Sequence, residues 1–165
     1  WQRQYDRALQ QYRRTLEIEP GFAVAHARIV EWYEFEEMYD KAVEESRSIA
    51  VVFGQLPGVN RDSSDFLRRG YFAGGAKGYW QARLDLAKEA SRKESAWPSS
   101  VARIYAHLGQ MHTAFEWLAK GVDQYEQQAN WMNANPAFDV MRPDPRFAAL
   151  VRKMGLEPLP LPRSQ

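Results

Sequence analysis

The feature that most constrains the fold of this sequence is a short motif that returns after 34 residues. Tyr5-Asp6-Arg7-Ala8 is followed by Tyr39-Asp40-Lys41-Ala42, and alanines in the same frame recur at Ala82 and Ala114, after intervals of 40 and 32 residues. An alanine lets two helices approach closely, and the residue four positions later lies on the same face of the helix. The pattern therefore predicts pairs of helices that bury their surfaces by stacking on one another.

Apolar residues spaced three and four apart, with glycines and prolines between such segments, predict an all-α chain. Helices are expected over 3–18, 22–35, 39–52, from 62 or 63 to the pair Gly74-Gly75, and over 77–94, 98–108 and 111–127. Residues 36–38 form so short a connection that the flanking helices must lie antiparallel. A last helix is expected where Asp144 caps a segment that begins with Pro145 and ends at Gly155.

These residues resemble the tetratricopeptide repeat (TPR) family, whose unit is two antiparallel helices. Residues 5–20 are similar to the second half of a unit, with Tyr5, Ala8, Tyr12 and Pro20 at signature positions, and 23–54 are similar to a complete unit. The resemblance implies an α-solenoid with a C-terminal capping helix. Its parts would be a half unit over 1–21, units over 22–54, 62–94 and 95–127, a cap over 128–156 and a proline-rich tail over 157–165.

The sequence departs from the family at three positions: Val30 replaces a preferred glycine, Gly54 a preferred proline and Gly121 a preferred alanine. The third unit also carries about six extra residues before its first helix. The segments 102–109, 114–118 and 144–156 are similar to the repeat-and-cap ends of large bacterial regulatory proteins. Beyond the cap, Pro158, Pro160 and Pro162 indicate an extended or disordered end.

The composition of the 165 residues excludes several classes of function. Twenty-two basic and 21 acidic side chains leave a net charge of +1, which provides no global attraction to nucleic acid or an anionic membrane. The chain has no cysteine, so it has neither disulfides nor cysteine-bound metals. No apolar run approaches the roughly 18 residues that would span a bilayer. The start at Trp1 is not that of a signal peptide and indicates an excised fragment, and the compartment stays open.

Charge is nevertheless uneven along the chain. Residues 31–45 hold seven acidic side chains and one basic side chain, whereas 61–94 hold eight basic and five acidic ones. The TPR resemblance implies that the first helix of each pair lines a concave groove. A protein or peptide in that groove would meet aromatic anchors and a charge gradient. The residues at the family's groove positions are Glu31, Glu34, Phe35, Leu67, Tyr71, Arg103 and His107.

Simpler interpretations stand beside this one. Charged stretches commonly form solvated helix faces, and the 22 aromatic residues would fill the spaces between stacked helices. The alternative to this core interpretation is that one member of an aromatic doublet is exposed as a binding anchor, since neighbouring residues on a helix point about 100° apart. The doublets are Trp32-Tyr33, Tyr71-Phe72 and Tyr79-Trp80.

Catalytic and metal-binding patterns are weak. His26, His107 and His112 have no metal-ligand spacing, and the glycines at 74–78 lack the Walker pattern, so they are interpreted as a helix end and a turn. The basic residues of the third unit could contact the phosphates of a nucleic acid. The strongly acidic second unit beside them would repel those phosphates, which disfavours nucleic-acid binding.

The sequence therefore predicts a non-catalytic scaffold that binds a protein or peptide, with no cofactor, no bound metal, no nucleic-acid partner and no membrane contact. The alternative is a structural or self-associating module that forms a homodimer through an exposed repeat face.

Overall fold

The computed structural model describes residues 5–52, 61–92, 97–126 and 129–160, and every regular element in these ranges is helical. The all-α prediction is therefore confirmed for the described part of the chain. The chain divides into two compact units, Trp1–Ala90 and Ser91–Gln165. The sequence also predicts a loop over 54–60, where Pro57 and two glycines separate two helices, and these residues lie outside the described ranges.

The described part of the first unit contains four helices. They are α1 (Tyr5–Ile18), α2 (Ala23–Phe35), α3 (Tyr39–Val52) and α4 (Arg61–Arg92). Pro20 and Gly21 separate α1 from α2. In the turn between α2 and α3, Glu37 takes a left-handed φ of 57°. Helix α1 packs on α2, and α2 packs on α3, so the hairpin predicted around 36–38 is present.

A sharp bend divides α4 into two arms, 61–73 and 76–92, at the predicted pair of glycines. Gly74 and Gly75 both leave the helical region, and Gly75 has a φ of 59°, which glycine adopts without strain. The arms approach so closely that a Cβ atom on Gly78 would lie 2.1 Å from the carbonyl oxygen of Gly70. A Cβ on Gly70 would lie 2.8 Å from the Cβ of Ala82. Ala82 thus occupies a close contact between helices, as the alanine frame predicts.

The second unit contains α5 (Pro98–His107), α6 (Met111–Asp123) and α7 (Pro145–Lys153), with short 3-10 helices at Ala129–Trp131 and Pro136–Met141. Helix α6 packs against α5 and α7 around a core of buried apolar side chains. Asp144 Oδ1 accepts a hydrogen bond of 2.9 Å from the backbone nitrogen of Arg146, so the predicted N-cap of α7 is confirmed. The core includes Ala102, Ala114, Phe115, Leu118, Met132, Phe138, Met141, Phe147 and Val151.

Helix α6 ends earlier than predicted because the chain turns back toward the start of α5. Tyr125 has a φ of 52°, and Glu126 is buried. The Glu126 carboxylate accepts hydrogen bonds from the backbone nitrogen (2.8 Å) and the hydroxyl of Ser99 in the first turn of α5. A carboxylate there satisfies a free N–H group and complements the helix dipole. A Cβ on Gly121 would lie 2.6 Å from Glu126 Oε2, which explains why alanine does not occupy this position.

One arginine organises the irregular segment between α6 and α7. The Arg142 guanidinium donates to the carbonyl oxygens of Met132 (2.9 Å) and Asn133 (2.7 Å). It also pairs with Asp139 and lies 4.9 Å from the ring centroid of Phe147. These contacts supply partners to carbonyl groups that no regular helix satisfies.

Candidate functional site

A buried carboxylate joins α2 to the second arm of α4. Glu34 is 2% exposed, and its Oε1 accepts a hydrogen bond of 2.7 Å from the Tyr79 hydroxyl. Arg83 Nε lies 3.2 Å from the same oxygen. Burial is the largest single influence on Arg83 and disfavours its charge, but the attractions of Glu34, Tyr79 and Glu31 together exceed it and raise the arginine pKa. The three side chains therefore form an ion pair and hydrogen bond inside the first unit.

An aromatic cluster lies beside this ion pair and fixes the start of α3 against α4. The ring centroid of Tyr39 lies 4.9 Å from that of Tyr79, 5.5 Å from that of Tyr71 and 6.4 Å from that of Trp80. The Trp80 indole donates to the Tyr39 hydroxyl at 3.3 Å. Burial raises the pKa of Tyr39, and the hydrogen bond from Trp80 opposes this increase. Because Tyr39 follows the α2–α3 turn and Tyr71 precedes the α4 bend, these two turns lie side by side.

Apolar side chains project into solvent from these neighbouring turns. Phe35 at the end of α2 is 36% exposed, Met38 in the turn is 37% exposed, and Phe72 at the α4 bend is 74% exposed. We call these three residues the apolar end of the first unit. Large exposed apolar side chains that cluster on a rigid frame are typical of interaction surfaces.

The two turns carry opposite charges around the apolar end. Three acidic residues, Glu36, Glu37 and Asp40, are exposed on the α2–α3 side and outnumber one base there, Lys41, whose amine lies 3.6 Å from Met38 Sδ. Arg68 and Lys77 are exposed on the α4 side, and the Arg68 guanidinium lies 5.9 Å from the ring centroid of Phe72. A ligand here would meet a negative edge and a positive edge, with apolar contacts between them.

The predicted groove residues of the first unit divide into buried and accessible ones. Glu34 and Leu67 are each 2% exposed, so they pack inside the unit instead of facing a ligand. Glu31 is half-buried and accepts a hydrogen bond of 2.6 Å from Arg28. Tyr71 is half-buried in the aromatic cluster, and Phe35 belongs to the apolar end. The groove itself stays a prediction.

The remaining two groove residues, Arg103 and His107, belong to α5 in the second unit. Arg103 is 3% exposed and is part of the buried surface of α5, whereas His107 is half-buried at its end. Arg103 is therefore not accessible to a ligand within this unit, and His107 is the better candidate of the two.

The three aromatic doublets differ in exposure, and Trp32 and Tyr33 are both half-buried. Tyr71 is half-buried and Phe72 is exposed, as the anchor interpretation predicts. Tyr79 and Trp80 are both buried, at 0% and 2% exposure. The hairpin of α4 and the contact with Tyr39 cover two adjacent faces of the second arm, which explains why neither ring reaches solvent.

His26 and His112 both lie beside glutamate side chains. The His26 ring nitrogens contact Glu45 Oε1 and the carbonyl oxygen of Pro20, so this side chain links α2 to α3 and to the turn after α1. His112 is exposed and lies 3.4 Å from Glu116. Among the described residues, no group of three or more histidine, cysteine or acidic side chains could hold a metal ion. No helix in that part of the chain is long and apolar enough to cross a membrane.

Sequence reasoning missed Met38, Tyr79 and Arg83 as parts of this region. Tyr79 and Arg83 are four residues apart on one helix, and Glu34 lies 45 residues before Tyr79, so only the packing of α2 on α4 brings them together. Met38 lies in the three-residue turn between α2 and α3. The shortness of this turn was the one sequence signal that could have indicated an exposed side chain there.

Comparisons with protein-family models, with curated proteins and with solved structures returned no match.

Proposed function

We propose that the chain consists of TPR-like helix pairs and acts as a non-catalytic scaffold that binds a protein or peptide. The alanine frame supports the first part of this proposal. Ala8, Ala42 and Ala114 are each the fourth residue of their helix, and the last two are completely buried. Ala82 lies against Gly70 at the contact between the arms of α4.

The observation that carries the binding function is the apolar end of the first unit. Its three side chains extend from two turns whose relative position is fixed by the Tyr39 cluster and by Glu34. A surface held in place before binding loses little conformational entropy when a partner arrives. Phe72, the most exposed of the three, is the expected central anchor.

The flanking charges define the chemistry of the partner. A segment with an apolar anchor in its middle would place a basic residue near Glu36 and Glu37 and an acidic residue near Arg68 and Lys77. Such a segment would bind in one direction only, because the reversed orientation would bring like charges together.

The test is selection of peptides from a random display library against the full chain. We expect the selected peptides to carry an aromatic or aliphatic anchor between a basic and an acidic residue. Phe72→Ala should weaken their binding by about tenfold or more. Val24→Ala is the matched control, since Val24 is exposed (54%) at the opposite end of α2 and should leave binding unchanged.

Two results would contradict the proposal. One is a library that yields no enriched sequences, and the other is a set of peptides that bind Phe72→Ala as tightly as the unchanged chain. Because Phe72 is exposed, its truncation should alter the free energy of unfolding by no more than about 0.5 kcal/mol, and loss of binding cannot then be attributed to misfolding.

Self-association through the same surface gives a different result. Light scattering would show a dimer that dissociates on dilution and that Phe72→Ala weakens, without any need for a peptide. A chain that stays monomeric at high concentration while it binds the selected peptides favours the scaffold.

A further inference from the structure

An asparagine side chain of the second unit bonds to the backbone of residues 157–159. Asn133 Nδ2 donates to the carbonyl oxygen of Glu157 at 2.8 Å, and Asn133 Oδ1 accepts from the backbone nitrogen of Leu159 at 3.0 Å. A single amide thus pairs with a carbonyl and an N–H group on the two sides of Pro158. The segment 156–160 forms neither a helix nor a bend, and Pro158 and Leu159 are half-buried against the unit.

The geometry suits an extended peptide with a central proline. In extended backbone the carbonyl of one residue and the N–H of the residue two positions later point to the same side, where one amide can bond to both. Proline at the middle position has no N–H, but Asn133 requires none there, and the ring restricts φ to extended values. The contact therefore depends on backbone groups and on the middle residue, and depends little on the flanking side chains.

The position of Asn133 is fixed before the segment binds. Its own carbonyl oxygen accepts a hydrogen bond of 2.7 Å from Arg142, and this guanidinium is anchored by Asp139. The hydrogen bond from Asn133 to Glu157 is itself exposed to solvent, so water can compete for it. The amide of Asn133 is fixed, and residues 157–159 are bound to it at the surface. Another extended segment could therefore replace them.

We propose that Asn133 is a binding site for extended peptide segments with a central proline, and that residues 157–159 occupy it as an internal ligand that a partner can displace. The partner is a protein with an X-Pro-X segment in extended conformation. A tethered segment competes at a high effective concentration, so the site opens fully only when the internal ligand is released. This site lies in the second unit and does not depend on the apolar end of the first.

Two substitutions in the full chain separate the site from its internal ligand. Leu159→Pro removes the N–H group that donates to Asn133 Oδ1. It therefore releases the segment and leaves the site intact. Leu159→Ala keeps the N–H and is the matched control. Asn133→Ala also releases the segment, but it removes the site itself.

The probe is the blocked peptide Leu-Glu-Pro-Leu-Pro, which copies residues 156–160. Binding is measured by calorimetry and by the NMR signals of the Asn133 side-chain amide. We expect Leu159→Pro to bind the peptide about tenfold more tightly than the unchanged chain and Leu159→Ala to resemble the unchanged chain. Asn133→Ala should not bind, and a peptide with an N-methyl group on its second leucine should not bind to any of them.

Equal binding by the unchanged chain and by Leu159→Pro would overturn the internal competition. Binding by Asn133→Ala, or no binding by Leu159→Pro at millimolar peptide, would overturn the site. Urea unfolding of each variant provides the control for folding, since Leu159 lies after the last helix and outside the core.

Discussion

The two units bury charged side chains in different ways. In the first unit Glu34 is paired with side chains, the Tyr79 hydroxyl and the Arg83 guanidinium. In the second unit Glu126 and Arg142 each bond to a side chain and also to backbone groups, the first at the start of α5 and the second in the irregular segment before α7. The difference follows from local structure, because the first unit joins complete helices, whereas the second must satisfy helix ends and turns.

This comparison indicates where each unit is sensitive to substitution. A pair of side chains on two helices is lost when one charge is reversed, whereas a side chain that bonds to several backbone groups depends on the shape of its polar end. The predictions below test this distinction, beginning with the largest expected effect.

Reversal of the buried charge in the first unit should be the most damaging change. Glu34→Lys would place an ammonium group beside Arg83 in a site that is 2% exposed, and we expect the free energy of unfolding to fall by about 4 kcal/mol. Glu31→Lys, on the same helix, removes a partly exposed pair with Arg28 and should cost about 0.5 kcal/mol. Urea unfolding of both variants measures the difference, and equal losses would contradict the role given to Glu34.

The close approach within α4 should be the next most sensitive feature. Gly78→Ala would direct a Cβ toward the Gly70 carbonyl oxygen, and we expect a loss of about 3 kcal/mol despite the higher helix propensity of alanine. Gly74→Ala adds the same atom where no neighbour lies within 4 Å, and it should change stability by less than about 1 kcal/mol. Thermal unfolding compares them, and a stable Gly78→Ala variant would show that the arms can separate without cost.

The stability of the second unit should depend on arginine, and not only on a positive charge, at position 142, where the guanidinium donates to several carbonyl groups. Arg142→Lys keeps the charge but cannot match the spread of guanidinium donors, so we expect a loss of about 2 kcal/mol. Hydrogen exchange should rise for the amides of 129–141. The exposed Arg152→Lys is the control and should have little effect. Unchanged exchange in Arg142→Lys would mean that the charge alone holds this segment.

The sequence predicts the helices of both units well because their ends depend on local signals. The pair Gly74-Gly75, the short turn at 36–38 and the cap at Asp144 each act within a few residues. The accessibility of the groove residues could not be predicted in the same way. Glu34, Leu67 and Arg103 are all buried, and the partner of Glu34, Tyr79, lies 45 residues further along the chain. A helical period does not indicate which polar residue will find a buried partner.

The contacts around Asn133 were also beyond sequence reasoning. The prolines at 158, 160 and 162 predict an extended or a disordered end without choosing between them. The structure places 157–159 against Asn133 because a side-chain amide pairs with the backbone there, and such pairing has no period or motif. The same reason explains why the early end of α6 at Asp123, which lets Glu126 bond to the start of α5, was not expected.

The smallest expected effect concerns two aspartates at the surface, the exposed Asp65 of the first unit and the half-buried Asp144 of the second. The pKa of Asp65 is lowered mainly by a hydrogen bond from the Arg47 side chain, whereas that of Asp144 is lowered by the side chain and also by the backbone N–H of Arg146. A lowered carboxyl pKa contributes stability above about pH 4, and this contribution is lost as the pH falls through the folded-state pKa. Because salt screens exposed charges and leaves a backbone hydrogen bond largely intact, 1 M salt should return the pKa of Asp65 toward its ordinary value more than that of Asp144. Carboxyl titration by NMR at low and high salt measures both shifts. Equal responses would mean that the cap of α7 is held by charge alone, and the distinction between side-chain and backbone partners would then fail at the surface.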